Sequence, residues 1–443
     1  MDRFALDLNN ETATRLARAW LLLGIAALIG AGLLAILLVI ARTPGLHAIF
    51  PNKDFFRATL IVHVDLSVLI WFMAFGGVLW SLVGSARFAT LGWAGLWLAV
   101  IGTGLMVVSP FGSDPQPLLN NYIPILQTPL FFAGLITACL GFALTLLRAL
   151  LTGAPRGWQQ RTDVIRIGIY AGAVAGSLAF IGFLWSWLAR PPFEGHALYE
   201  AVFWGGGHTL QFQHALLMAV AWLLLLDHLE QPLQTRRAIL SLLFVIAAAP
   251  VLVMPVIYIL TPVGTAQHTL GFAKLMEHGH AMMLPLIVLV LFTLPKVWKK
   301  ASPVKSALFS SMLLFLSGGL LAFMIRGVNV VIPAHYHGSI VGVTLAFMGL
   351  AYVLLPRLGY GAVEGCMARW QPYVYGAGQL IHVIGLAWSG GYGVQRKVAG
   401  ADQMLLTWQQ KTGMGMMGAG GLIAVIGGIM FVLVCLKAIR AKR

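Results

Sequence analysis

The chain has 443 residues, of which 59% are hydrophobic and only 10% charged. Soluble domains carry about 25% charged residues, so composition excludes an ordinary soluble domain. It points to an all-α membrane protein, because lipid leaves no water to satisfy the backbone outside helices or closed barrels. The net charge of +15 would suit nucleic acid, but its placement along the chain excludes that reading.

Twelve apolar segments follow in chain order, at roughly 16–41, 57–83, 88–109, 121–148, 165–189, 198–226, 238–260, 266–294, 304–326, 331–355, 371–389 and 414–437. Each is near or above the ~20 residues that a spanning helix needs. The first run follows a polar stretch and is long enough to remain as a span rather than be cleaved as a signal. With both termini cytoplasmic, 20 Lys and Arg fall in the termini and loops of that side. Eight fall in the outer loops, and Lys274 lies inside segment 8. This asymmetry is the positive-inside pattern. The basic excess therefore reports orientation and contact with anionic lipid, and the expected setting is the cell membrane, a bacterial inner membrane, with the chain as a multi-pass protein. Cys139, Cys366 and Cys435 are scattered, so neither a disulfide framework nor a cysteine metal motif follows. No linker or repeat is visible, and residues 1–443 read as one transmembrane domain.

Histidines carry the chemical signal. With even-numbered segments running from outside to inside, His63 lies about six residues into segment 2 and His208 about ten into segment 6. His335 and His337 open segment 10 in the stretch IPAHYHGSIVG. At ~1.5 Å rise per residue these four share one layer in the outer half of the bilayer. Polar groups at that depth are costly and usually functional. A lone intramembrane histidine can simply bond a neighbouring carbonyl; four at matched depth on parallel helices point to ligation. Residues two apart on a helix project about 160° apart, so His335 and His337 cannot hold one metal. They can hold two centres on opposite faces, and imidazole is a standard axial ligand of haem iron.

Ordered this way, the histidines, the stretches RATLIVHVDL and FWGGGHTLQF, and NNYIPILQTPLFFAGL at segment 4 resemble subunit I of the haem–copper oxidase superfamily. That superfamily includes respiratory oxidases and bacterial nitric oxide reductases. The resemblance covers most of the chain and implies a twelve-helix bundle. It implies two haems: His63 and His337 as axial ligands of a low-spin haem, and His335 as the single axial ligand of a high-spin haem. His208 would be a ligand of a non-haem metal, copper or iron. The loop GGYGVQRKVAG is similar to the family loop whose basic pair binds haem propionates, which assigns Arg396 and Lys397.

Two departures stand out. The family places adjacent histidines near the outer end of segment 7, where this chain has Val256 and Ile257. One imidazole is too few for a stable non-haem site, which generally takes three or four protein ligands. Substitutes are available in LMEHGHAMM of segment 8: His278 or His280, two apart, of which one can face a given metal. A mixed site would join it to His208 and a carboxylate or amide, Glu200 or Gln211. The alternative for segment 8 is a polar cluster in which Lys274 pairs with Glu277 or His278. The second departure is the active-site tyrosine, whose expected positions hold Phe212 and Pro250.

Three readings follow. A respiratory oxidoreductase would take electrons from a cytochrome c-type donor or small partner subunit and reduce O2 or NO, with Glu200 and Gln211 as candidate catalytic groups. A dihaem electron-transfer or gas-sensing protein would keep the haems without the third metal. A transporter would show broken helices and inverted repeats. No CxxCH motif is present, so the donor's haem would lie on another chain.

Overall fold

The computed structural model describes residues 6, 10–42, 53–112, 116–396 and 404–441, with the side chains of 39–42 and 53–56 outside the description. Helix α1 spans Glu11–Arg42. Helix α2 (Lys53–Val64) runs through a π turn (Asp65–Ile70) into α3 (Trp71–Val83). Then follow α4 (Ala89–Val108), a hairpin of β1 (Pro117–Leu118) and β2 (Ile125–Leu126), α5 (Pro129–Thr152), α6 (Arg161–Leu188) and α7 (Gly195–His228). The chain continues through α8 (Arg237–Ala248), α9 (Met254–Leu260), α10 (Ala266–Gly279) and α11 (Leu284–Val297). It ends with α12 (Pro303–Ala322), α13 (Val331–Arg357), α14 (Cys366–Gly391) and α15 (Trp408–Arg440).

Among the described residues, eleven stretches are long and apolar enough to cross a membrane. Ten of the twelve apolar segments expected from sequence match them closely, with segments 2, 7 and 8 each composite. Segment 11, now α14, is not among the eleven, since it carries Gln371, Gln379 and His382. Segment 4 starts later than expected. Pro124 and Pro129 bracket residues that stay extended, because the residue before a proline disfavours the helical region. The helix begins at Pro129 itself, where the missing N–H costs nothing, and the Thr128 hydroxyl accepts the Phe131 N–H at 3.3 Å.

Prolines also break segments 7 and 8. A ₃₁₀ turn at Ala249–Val253 joins α8 to α9, and another at His280–Met283 joins α10 to α11. Proline clashes with the carbonyl four residues back. Those carbonyls belong to Val251 for Pro255 and Ala281 for Pro285, both inside the tightened turns.

The chain divides into two compact units. Unit 1 comprises Met1–Ala27 and Val64–Lys296; unit 2 comprises Leu28–His63 and Val297–Arg443. Unit 1 is built around α7, whose middle is buried on every side, with Leu216, Leu217, Met218, Val220 and Trp222 all closed to solvent. In unit 2 the equally buried strut is α13, packed with α12 and α14. Helix α15 lies against α14 at such close range that a Cβ on Gly420 would stand 2.3 Å from the main-chain nitrogen of His382. Only glycine admits that approach.

Candidate functional site

Unit 2 holds four membrane histidines. His335, on α13, places Nδ1 2.7 Å from the Gly318 carbonyl of α12. His337 points elsewhere: its ring centre lies 4.8 Å from that of His382 on α14. The two imidazoles of AHYHG thus address different helices. His63, at the end of α2, places Nδ1 2.8 Å from the Ala31 carbonyl of α1. His382 places Nδ1 2.9 Å from the Met417 carbonyl of α15. A carbonyl can only accept, so each of these three Nδ1 atoms carries the proton and donates it. Nε2 is then the nitrogen bearing the lone pair. Arg396 is half-buried at the edge of the description, and Lys397 lies outside the described residues.

Unit 1 holds a different constellation. His208, buried on α7, donates Nδ1–H to the Trp204 carbonyl at 2.8 Å. Its Nε2 lies 2.9 Å from the hydroxyl of Tyr122, carried by the β1–β2 hairpin. With the tautomer fixed by Trp204, the Tyr122 O–H donates and Nε2 accepts. The run Gly205-Gly206-Gly207 explains how the loop reaches the helix: a Cβ on Gly207 would stand 2.3 Å from Cγ of Tyr122. Glu200, two turns before His208, accepts the Asn121 main-chain N–H at 3.1 Å and bonds the Asn121 side-chain amide as well. Exposed His196 lies 3.9 Å from the same carboxylate. Burial, and then the Glu200 charge, push the Tyr122 phenol well above its ordinary value and keep it neutral.

None of the remaining expected site residues hydrogen-bonds His208 among the described residues, although His280 is near enough to act on it electrostatically. Gln211 is half-buried on α7, and no hydrogen bond links it to His208 among the described residues. His280 stacks on Phe212, ring centres 4.2 Å apart, with Nδ1 3.0 Å from the Met276 carbonyl in the last turn of α10. His278 is exposed, as are Lys274 and Glu277. The pairing of Lys274 with Glu277 or His278 is not made among the described residues, because each side chain has solvent or lipid within reach.

The family model for cytochrome C and quinol oxidase polypeptide I matches residues 15–427. The chain belongs to this oxidase subunit I family. An uncharacterized protein of Rickettsia prowazekii (strain Madrid E) is 31% identical over 503 aligned positions, covering 97% of each chain. An uncharacterized protein of Aquifex aeolicus (strain VF5) is 30% identical, covering 80% of this chain and 88% of its own. Among solved structures, a heme-copper terminal oxidase dimer superposes with a TM-score of 0.70 at 14% identity, covering 97% of this chain and 84% of the other. That likeness shows the subunit I fold: a multi-pass, all-α membrane protein.

Membership of the oxidase subunit I family implies haem, and unit 2 fits it. Metal-ligating histidines nearly always donate their second ring nitrogen to a carbonyl or carboxylate, which fixes tautomer and orientation. Of the expected ligands, His63 and His335 do so, each to a carbonyl of a neighbouring helix. The donor set expected for a third metal does not fit. Both ring nitrogens of His208 are engaged, and among the described residues no three His, Cys, Asp or Glu side chains gather where they could hold a metal ion.

Sequence reasoning missed Tyr122 and His382. Tyr122 lies in NNYIPILQTP, quoted above only as a resemblance. The glycine run opposite it marked a close approach but not its partner. His382 sits mid-helix in a polar segment with no motif around it.

Proposed function

We propose that this subunit I-like chain is a respiratory oxidoreductase of the membrane whose haem chemistry resides in unit 2, the 443 residues acting as one haem-binding domain. His63 and His337 hold a low-spin haem, and His335 holds a high-spin haem from the other face of α13. Haem iron supplies one-electron transfer and, where one axial position stays open, binding of a diatomic gas. Every other part belongs to the protein. The α12 carbonyl of Gly318 fixes the His335 ring, and the α1 carbonyl of Ala31 fixes His63. Helix α13 separates the two rings that project from it, and the apolar helices keep water away. Arg396 and Lys397 are proposed to pair with haem propionates. Electrons come from a cytochrome c-type donor or small partner subunit, and the acceptor is O2 or NO. The setting is a bacterial inner membrane with both termini cytoplasmic.

The observation that carries this reading is the divergence of the two α13 histidines, one anchored by α12 and the other lying against α14. The test is His63→Ala in the purified, haem-loaded protein. The low-spin spectrum is expected to disappear, while a carbon monoxide-binding haem persists. Survival of both signals would refute the ligand assignment.

A second reading, a dihaem electron-transfer or gas-sensing protein, is favoured by the engagement of both His208 nitrogens. It predicts two haem spectra without sustained consumption of O2 or NO under a reduced cytochrome.

A further inference from the structure

We infer that the His208 site of unit 1 works without a metal ion, the Tyr122 phenol occupying the imidazole lone pair to which a metal would bind. This goes beyond the proposed haem function and does not depend on it. The tautomer decides the chemistry. Nδ1–H of His208 is committed to the Trp204 carbonyl at 2.8 Å. The lone pair therefore lies on Nε2, and at 2.9 Å the Tyr122 hydroxyl donates into it. A metal would have to displace that proton donor and then find further ligands. Borderline metals in such sites take three or four. The described residues complete no such set: segment 7 presents Val256 and Ile257, His278 faces outward, His280 stacks on Phe212 with Nδ1 at the Met276 carbonyl, and no group of three candidate ligand side chains gathers.

The arrangement is built rather than incidental. Gly207 leaves the gap into which the Tyr122 ring fits, with Cγ 2.3 Å from where a Cβ would stand. Trp204 closes the side edge-on, its ring centre 5.8 Å from that of Tyr122. The hairpin that carries the tyrosine is tied down next door, where Asn121 holds the Glu200 carboxylate through both its main-chain and side-chain amides. Unit 1 thus supplies a phenol beside an imidazole from a loop, whereas the positions in segments 6 and 7 expected to carry that tyrosine hold Phe212 and Pro250. Tyr122 acts here as a positioning residue that locks His208 as a hydrogen-bonded neutral ring.

The test counts metals in the full chain, purified with its haem. Samples are incubated with copper and zinc salts and desalted; total iron, copper and zinc are then measured against haem iron. Iron equal to haem iron is expected, with every other transition metal below about a tenth of an equivalent per chain. About one equivalent of copper, zinc or non-haem iron that vanishes in His208→Gln, with haem retained, would overturn the inference. This count on the wild type needs no variant to fold. The hydrogen bond is read separately from the tyrosine C–O stretch, isolated as the infrared difference between wild type and Tyr122→Phe. It should report a donating phenol and shift in His208→Phe; an unshifted band there would also overturn the assignment.

Discussion

Replacing Gly207 with alanine tests the seat of Tyr122 most directly. The new Cβ would stand 2.3 Å from Cγ of Tyr122, 2.5 Å from Cδ1 and 2.7 Å from Cβ. Restoring ordinary contact requires the ring to retreat by about 1.1 Å, well beyond what the steep repulsive wall tolerates. Overpacking of this kind costs about 1–3 kcal/mol, and the displaced phenol loses a hydrogen bond worth about 1 kcal/mol. We expect Gly207→Ala to destabilise unit 1 by about 2–4 kcal/mol, seen as a lower melting temperature in detergent. Gly104→Ala on α4 is the control, because a Cβ there meets nothing within 4 Å; it should be neutral or stabilising by up to about 1 kcal/mol. Tyr122→Ala makes room for the added methyl. The double variant Gly207→Ala, Tyr122→Ala should therefore melt well above the sum of the two single effects. Strict additivity would refute the packing of Tyr122 against α7.

His335→Ala should abolish carbon monoxide binding while leaving a low-spin haem spectrum, the converse of His63→Ala. Gly420→Val should separate α14 from α15 and lower stability by about 1–3 kcal/mol through overpacking, measured by thermal melting, because its Cβ meets the main-chain nitrogen of His382 at 2.3 Å. The raised value of the Tyr122 phenol predicts an alkaline effect. The folded state keeps a proton that the unfolded chain releases near its ordinary value of about 10, so stability is full below that pH and falls as pH rises above it. Melting curves from pH 9 upward should show a shallower fall in Tyr122→Phe. Asp227, buried at the end of α7, pairs with Arg161. Asp227→Leu should cost about 1–3 kcal/mol, less than a wholly buried pair would, because Arg161 keeps partial access to water.

Much of the fold was legible because hydropathy is a long-range property of the chain: ten of the twelve expected segments recur with nearly the expected bounds. The π turn after His63 and the ₃₁₀ turns of segments 7 and 8 were not anticipated. The prolines responsible for the latter were in view, but apolarity alone does not distinguish a regular helix from a broken one. The divergence of His335 and His337 followed from helical phase and needed no tertiary information. What phase cannot give is the partner across the gap. Tyr122 meets His208 from 86 residues away through a hairpin, and His382 meets His337 from a helix whose polar residues look unremarkable in isolation. Segment 8 misled for a related reason: charged residues at helical spacing can pair, but Lys274, Glu277 and His278 all turn outward.

The different surroundings of the two α13 imidazoles carry a consequence for redox tuning. A stronger hydrogen bond at Nδ1 makes a ligating imidazole more basic and shifts the iron it binds toward the oxidised form. His335 donates that bond to the Gly318 carbonyl of α12, whereas His337 lies against His382, whose own ring is fixed by Met417 on α15. A substitution that tilts α12 would then move one midpoint potential and leave the other nearly still. If α13 carries two haems as proposed, their potentials would in this way be set independently, so that the downhill step between them would be adjustable without changing a ligand.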